Sequence, residues 1–307
     1  MTKETVASYA NISIYSAMAV LAVAMILYAV YLAGMVPARV DARSGSPADD
    51  VATPQHARKM GGVAGTLTWL GGLLLLLAAV LRGASVNRAP LGNMHEFALV
   101  ASMFTILLFC VWSLKRDLRW LGVFVVTPVL LVLGMAITAW YTEAAELLPS
   151  LKSYWLVIHV VVATFSIALF ILGAVITVLY LLADRRQARG VPEGARPSLL
   201  DKMPNAQALE RMAYGTHIIA FPLWTFTLIA GAIWARQAWG SYWNWDPKET
   251  WTFVIWVVYA AYLHARATTT VSRRTANLVA VAGFVCIIIN YVVVNQFLVG
   301  MHSYSGL

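Results

Sequence analysis

The sequence predicts an all-α polytopic membrane protein with about eight transmembrane helices and both termini outside. Three observations carry that expectation. Of 307 residues, 60% are apolar and 12% are charged, about half the ~25% charged content of a soluble domain, and the mean hydropathy is +0.72. The apolar residues gather into runs near the ~20 residues that a membrane-spanning helix needs, without the alternation of a membrane barrel. Finally, the loops between these runs alternate between few and many basic residues.

The expected spans are 12–35, 64–81, 96–114, 121–140, 154–182, 213–235, 251–269 and 276–298. The first exceeds the roughly 7–15-residue core of a secretory signal, and its flank holds both Lys3 and Glu4, so it is expected to be a retained helix. Gly45-Ser46-Pro47, Pro149-Ser150 and Gly190-Val191-Pro192 punctuate the connections. Counted along the chain, the N-terminal flank has one Lys or Arg. The successive loops have four, two, three, one, six, two and three, and the tail has none. The positive-inside rule then puts the dense loops in the cytoplasm, including the largest from Asp184 to Arg211, and turns the loop between spans six and seven outward. The net charge of +8 therefore serves orientation and implies no nucleic-acid partner. Cys110 and Cys286 lie within spans and form no Cys-x-x-Cys pair, which excludes a dithiol carrier or thiolate metal site and leaves two small buried hydrophobes.

The loop between spans six and seven reads Trp239-Gly240-Ser241-Tyr242-Trp243-Asn244-Trp245-Asp246, with Trp251 close behind. An interfacial aromatic belt is one reading. The density of indoles, with Gly, Asn and Asp among them, favours an aromatic shelf for a flat hydrophobic ligand. Asp246-Pro247-Lys248-Glu249 is a helix-start signature: Asp246 as N-cap, Pro247 as first helical residue and Glu249 as the returning half of a capping box. Both acids thus have a structural role. Arg236 and Lys248 flank the loop, either to pair with ligand carboxylates or to anchor helix ends at the interface.

Six histidines complete the pattern. His56 lies in the first cytoplasmic loop, His217 near the inner start of span six as a core or interfacial residue, and His95 at the outer start of span three. His159 sits five residues into span five, and His302 lies just past the outer end of span eight, in the same outer layer as the tryptophans. Imidazole is a ready axial ligand for haem iron, and two could clamp a haem resting on indole. His264 lies thirteen residues after Trp251, about 20 Å further along span seven towards the cytoplasm, where an ionisable residue is a candidate functional site.

These motifs resemble a known family. Trp239 to Glu249 is similar to the WWD signature of haem-handling proteins in cytochrome c maturation. The chain from about residue 65 to 307 resembles the CcsA/ResC subunit of the System II cytochrome c synthase. Pro90-Leu91-Gly92-Asn93-Met94-His95-Glu96 resembles an outer segment of that family, with His95 where Tyr is usual. Ser153 to Val160 resembles the segment of its first external histidine, and Gly231-Ala232-Ile233-Trp234-Ala235 the approach to WWD. His264-Ala265-Arg266 matches its transmembrane histidine, and Gly300-Met301-His302-Ser303-Tyr304 its second external histidine.

The resemblance implies a division into residues 1–63, a first helix and variable cytoplasmic loop, and 64–307, a haem-handling domain with an external WWD loop at 236–250. It implies that His159 and His302 ligate haem b iron and act in the synthesis site, with Trp239, Trp243, Trp245, Trp251, Asp246, Arg236 and Lys248 around the cofactor. His264 would ligate haem in an intramembrane site, with a histidine from a ResB-type membrane subunit. The implied activity is cytochrome c synthase (haem lyase) in a bacterial cell membrane. Haem b moves outward and is attached through thioethers to the Cys-x-x-Cys-His of an apocytochrome c. Rival readings are haem export or delivery without ligation, as in proteins resembling the CcmC type, and a membrane cytochrome subunit with permanent haem. The late position of WWD disfavours the CcmC pattern, and the lack of a His pair at i and i+14 on one span weighs against a cytochrome b.

Overall fold

The computed structural model describes residues 2–35, 53–147, 152–190 and 198–302. The turn signals Gly45-Ser46-Pro47, Pro149-Ser150 and Val191-Pro192, most of the first cytoplasmic loop, and Ser303 and Tyr304 lie outside them. Eight long helices run α1 Lys3–Gly34, α2 Gln55–Val86, α3 Met94–Ser113, α4 Gly122–Thr138, α5 Tyr154–Arg189, α6 Ala206–Trp239, α7 Pro247–Ala267 and α8 Arg273–Ile288. One 3₁₀ turn leads into α4, and a π-helical stretch, Ile289–Val294, with a last turn at Asn295–Phe297 continues α8. No strand occurs among the described residues. The chain is therefore an all-α polytopic membrane protein.

Each expected span falls on one helix, the last on α8 and its continuation, and four of the helices, α3, α5, α6 and α8, start at or before the expected span behind a polar cap. Asn93 accepts from the Glu96 amide at 2.9 Å, Ser153 from Trp155 at 3.2 Å, Asn205 from Ala208 at 2.9 Å and Ser272 from Thr275 at 3.0 Å, satisfying amides that the first turn leaves free. Gly240, at φ +81°, closes α6 in a left-handed conformation that costs glycine little.

Among the described residues, seven of these helices are long and apolar enough on their own to cross a membrane, and α7, the eighth, is less apolar than the rest. The reason lies in its composition. Between Lys248 and Arg266, α7 carries Trp251, Trp256, Tyr259, Tyr262 and His264, amphipathic groups that pack like apolar ones but dilute a hydrophobic run. It also buries only Ile255, Tyr259 and Tyr262.

Helices α1 to α5 share one apolar core, with Leu21, Tyr28, Leu75, Ile106, Phe109 and Leu133 inside. A second core, around Phe170, Trp224, Ile255, Tyr259 and Ile287, joins α5 to α8. At one end of the bundle Glu96 accepts from Arg82 at 3.0 Å and from Arg88 at 2.7 Å. Arg82 also donates to the Thr142 carbonyl, and Asn11 donates to the Tyr141 hydroxyl at 3.0 Å. Buried Glu96 is thus met by two guanidinium groups, the compensation that a buried charge requires. The start of α1, the end of α2, the start of α3 and the segment after α4 therefore share that end, which is also where α5 begins and α6 ends.

Candidate functional site

A cavity of about 1150 Å³, open mouth included, lies beneath the tryptophan loop. Its walls are the first turns of α3, α5 and α7, the last turns of α6 and the π-helical end of α8. The lining is largely apolar and aromatic: Met94, Phe97, Leu156, Leu228, Ile255 and Ile287, with Trp224, Trp234, Trp239, Trp243, Tyr242 and Tyr291. His159, His302 and Lys248 interrupt it.

His159 is held from α6. Its Nδ1 lies 2.9 Å from the Thr227 carbonyl. A carbonyl only accepts, so Nδ1 carries the proton and Nε2 the lone pair. Gly231, one turn along α6, gives the ring its room: a Cβ there would lie 2.7 Å from the imidazole. The ring stacks on Trp234 at 6.0 Å with an interplanar angle of 11°.

His302 arrives from the far end of the chain and packs edge-on to the same indole at 5.8 Å and to Trp239 at 4.9 Å. Its Nδ1 lies 2.8 Å from Asp246 Oδ2. The predicted capping box is present, with Asp246 accepting from the Lys248 amide at 2.9 Å and Glu249 reaching back to the Asp246 amide. Its Asp, however, is more than a cap: the same carboxylate accepts from the Met301 amide and from His302. Burial opposes its charge, but the His302 hydrogen bond and charge, with the Met301 and Lys248 amides, outweigh this and hold the carboxyl below the usual carboxylate range.

The structure separates the remaining expected residues. Lys248 lines the cavity, donating to the Asn290 carbonyl at 2.9 Å and lying 5.9 Å from the Tyr291 ring. That carbonyl belongs to the π-helical stretch, whose altered register changes which main-chain groups pair. Arg236 is exposed outside the cavity, bound to the Gly240 carbonyl and 6.0 Å from the Tyr242 ring. Of the loop tryptophans, Trp239 and Trp243 line the cavity and Trp245 does not. Trp245 has φ +56° and is 76% exposed, turned outward beside Trp243. Trp251 also lies outside the lining. His264 is exposed on the last turn of α7 at the opposite end of the bundle, two residues before Arg266, which pairs with Glu210.

His95 is buried, with Nδ1 2.8 Å from the Ala136 carbonyl, and His217 is in the core, 3.1 Å from the Thr177 hydroxyl. His56 is exposed at the start of α2. Sequence reasoning missed Trp234 as the ring between the two imidazoles, and also the contributions of Asn290 and Tyr291. Trp234 stands within the 231–235 approach to the tryptophan loop, where no local signal marks its contact with either imidazole.

Among the described residues no three His, Cys, Asp or Glu side chains are placed to hold a metal ion. Two imidazoles suit a metal that brings its other ligands with it, and the flat aromatic walls suit a planar macrocycle. Lys248 is a cation suited to that ligand's carboxylates.

Comparison with known proteins follows the same line. The family model described as Cytochrome C assembly protein matches residues 91–302. The cytochrome c biogenesis protein CcsA of Guillardia theta is 35% identical over 242 residues, 71% of this chain and 77% of that protein. CcsA of Parasynechococcus marenigrum is 33% identical over 273 residues, 80% of this chain and 87% of its own. The solved structure of cytochrome c haem lyase CcmF shares the fold, with a TM-score of 0.65 at 15% identity, covering 95% of this chain and 47% of that one. With the family matched across every element of the cavity and CcsA proteins matched over most of their length, this chain belongs to the cytochrome c assembly protein family, and to its CcsA type.

Proposed function

We propose that this chain is the membrane subunit of a cytochrome c synthase. It takes haem b from the cytoplasmic side and holds it between His159 and His302 at the outer face. There it presents the haem to the Cys-x-x-Cys-His of an apocytochrome c. The observation that carries this reading is the convergence of those two imidazoles, 143 residues apart in sequence, on one indole, Trp234, in one aromatic cavity. A purely structural pair would not need a cavity between five helix ends.

In this reading the haem is substrate. Trp234, Trp239 and Trp243 supply flat apolar surface, Lys248 meets a propionate, and the chain's work is orientation and exclusion of water. The vinyl groups and the incoming thiols bring the bond-forming chemistry. His264, exposed at the other end of α7, suits uptake from the cytoplasmic side with a second ligand from a ResB-type subunit. Sixteen basic residues in the loops at that end, against six at the other, support an inside position for His264 and an outside position for the tryptophan loop and both termini.

The test is an absorption spectrum of the chain purified with its partner subunit, repeated for His159→Ala, His302→Ala and His264→Ala. The first two variants are expected to lose the six-coordinate spectrum, with imidazole restoring it. Haem content and spectrum unchanged in all three would refute the assignment.

A further inference from the structure

The two imidazoles on the cavity are backed by different groups. The His302 Nδ1 proton is directed at a carboxylate, Asp246 Oδ2, at 2.8 Å. The His159 Nδ1 proton is directed at a neutral carbonyl, that of Thr227, at 2.9 Å. Asp246 is 5% exposed and also receives the Met301 and Lys248 amides, so the carboxylate is fixed in place. Gly300 lets the chain pass so close to it that a Cβ there would collide with Oδ1. Thr227, by contrast, lies inside α6, where its carbonyl is also the acceptor of the helix ladder and is shared.

A carboxylate hydrogen-bonded to the far nitrogen of an imidazole makes the near nitrogen a stronger donor to metal, and removing such a partner costs roughly 10–100-fold in metal affinity. A shared neutral carbonyl polarises the ring far less. Resting on the haem-ligand reading above, we propose that the site is built asymmetrically. His302, backed by Asp246, is the retained ligand, and His159 is the ligand given up to the histidine of the incoming Cys-x-x-Cys-His segment. In that exchange the bond from iron to His159 Nε2 breaks and one from iron to the substrate imidazole forms. His159 leaves as a neutral ring with its Nδ1 proton still on the Thr227 carbonyl, and no electron moves. Asp246 is then a positioning residue that acts through His302, in addition to capping α7.

The experiment is a double-mutant comparison on the full chain co-purified with its partner subunit. Asp246→Asn removes the charge but leaves an N-cap of equal quality, so α7 is retained. Haem loss is timed by transfer to excess apomyoglobin in two backgrounds, each with imidazole filling the vacated position. In His159→Ala, which keeps His302, adding Asp246→Asn is expected to speed haem loss by about 10–100-fold. In His302→Ala, which keeps His159, the same change is expected to leave the rate where it was. The haem midpoint potential should also rise with Asp246→Asn in the first background and stay constant in the second. A purely structural role for Asp246 would produce no such split.

Equal effects of Asp246→Asn in the two backgrounds would overturn the asymmetry while leaving both ligands in place. An unaltered haem spectrum in both His159→Ala and His302→Ala would instead remove the ligand reading itself. If His302→Ala does not accumulate, Asp246→Asn in the otherwise unchanged chain decides. A raised potential and faster haem loss support the proposal, and unchanged values overturn it.

Discussion

Two histidines of the α5–α6 pair are packed alike and end in different surroundings. His159 on α5 presses against Gly231 on α6, and His217 on α6 presses against Gly173 on α5. Each histidine precedes the glycine of its own helix by fourteen residues, so the two contacts are reciprocal across an antiparallel pair, about 21 Å apart. A Cβ would lie 2.7 Å from the first ring and 2.5 Å from the second. What differs is the third element. At the His217 end Phe170, Tyr259 and Tyr262 close around the imidazole, with ring centroids at 6.0, 5.4 and 5.2 Å. At the His159 end the neighbouring elements stand back and leave the cavity. A histidine in an apolar helix thus ends up enclosed in the core or lining a cavity according to what lies beyond the packed pair.

The largest effect should separate these two positions outright. His159→Ala is expected to remove most of the haem that co-purifies with the chain, measured as pyridine haemochrome per polypeptide. His217→Ala should leave haem content near normal and lower unfolding stability by about 1–3 kcal/mol, since it empties a filled core position. Loss of haem from the His217 variant at unchanged stability would break the distinction.

The glycines sharpen the same contrast. Gly173→Ala forces a methyl group against a ring that Tyr259 and Tyr262 already enclose, an overpacking cost of about 1–3 kcal/mol, visible as a lower midpoint of thermal unfolding. Gly231→Ala meets a ring that can swing into the cavity. Its stability cost should be smaller, and its signature should be an altered haem absorption spectrum. The reverse pattern would mean that the cavity side is the more tightly packed.

Much of this was legible in the sequence, and what was not has a physical cause. The spans were readable because apolar runs and loop charges are local quantities, and Asp246-Pro247-Lys248-Glu249 announced its capping box for the same reason. That His159 and His302 share one end of the bundle with the tryptophan loop followed from counting spans. The partners of those imidazoles were not readable: Thr227 is 68 residues from His159, and Asp246 is 56 residues from His302. Such pairings depend on helix rotation, which a spacing pattern within one span does not fix. Asp246 illustrates this, since the local motif explains it as a cap and the resemblance places it near the cofactor, but neither names its long-range partner, His302. Arg82, Arg88 and Glu96 were missed likewise, because a charge at a span end reads as an interfacial anchor until its partner is known. Trp245 could not be told from Trp239 or Trp243 because a single positive φ, invisible in composition, turned it away.

That last difference gives the smallest expected effect. Trp239 packs on both Trp234 and His302, at 4.8 and 4.9 Å, so Trp239→Ala should weaken haem retention and loosen His302. Trp245 is exposed and pays for a left-handed backbone that a bulky residue rarely adopts. Trp245→Gly should therefore leave haem content and spectrum unchanged and leave stability unchanged or slightly raised, because glycine tolerates that conformation. If Trp245→Gly instead cost as much haem as Trp239→Ala, the loop would have to turn over when haem binds. The cavity seen here would then be its open form, with Trp245 folding in as the outer wall once the substrate haem is seated.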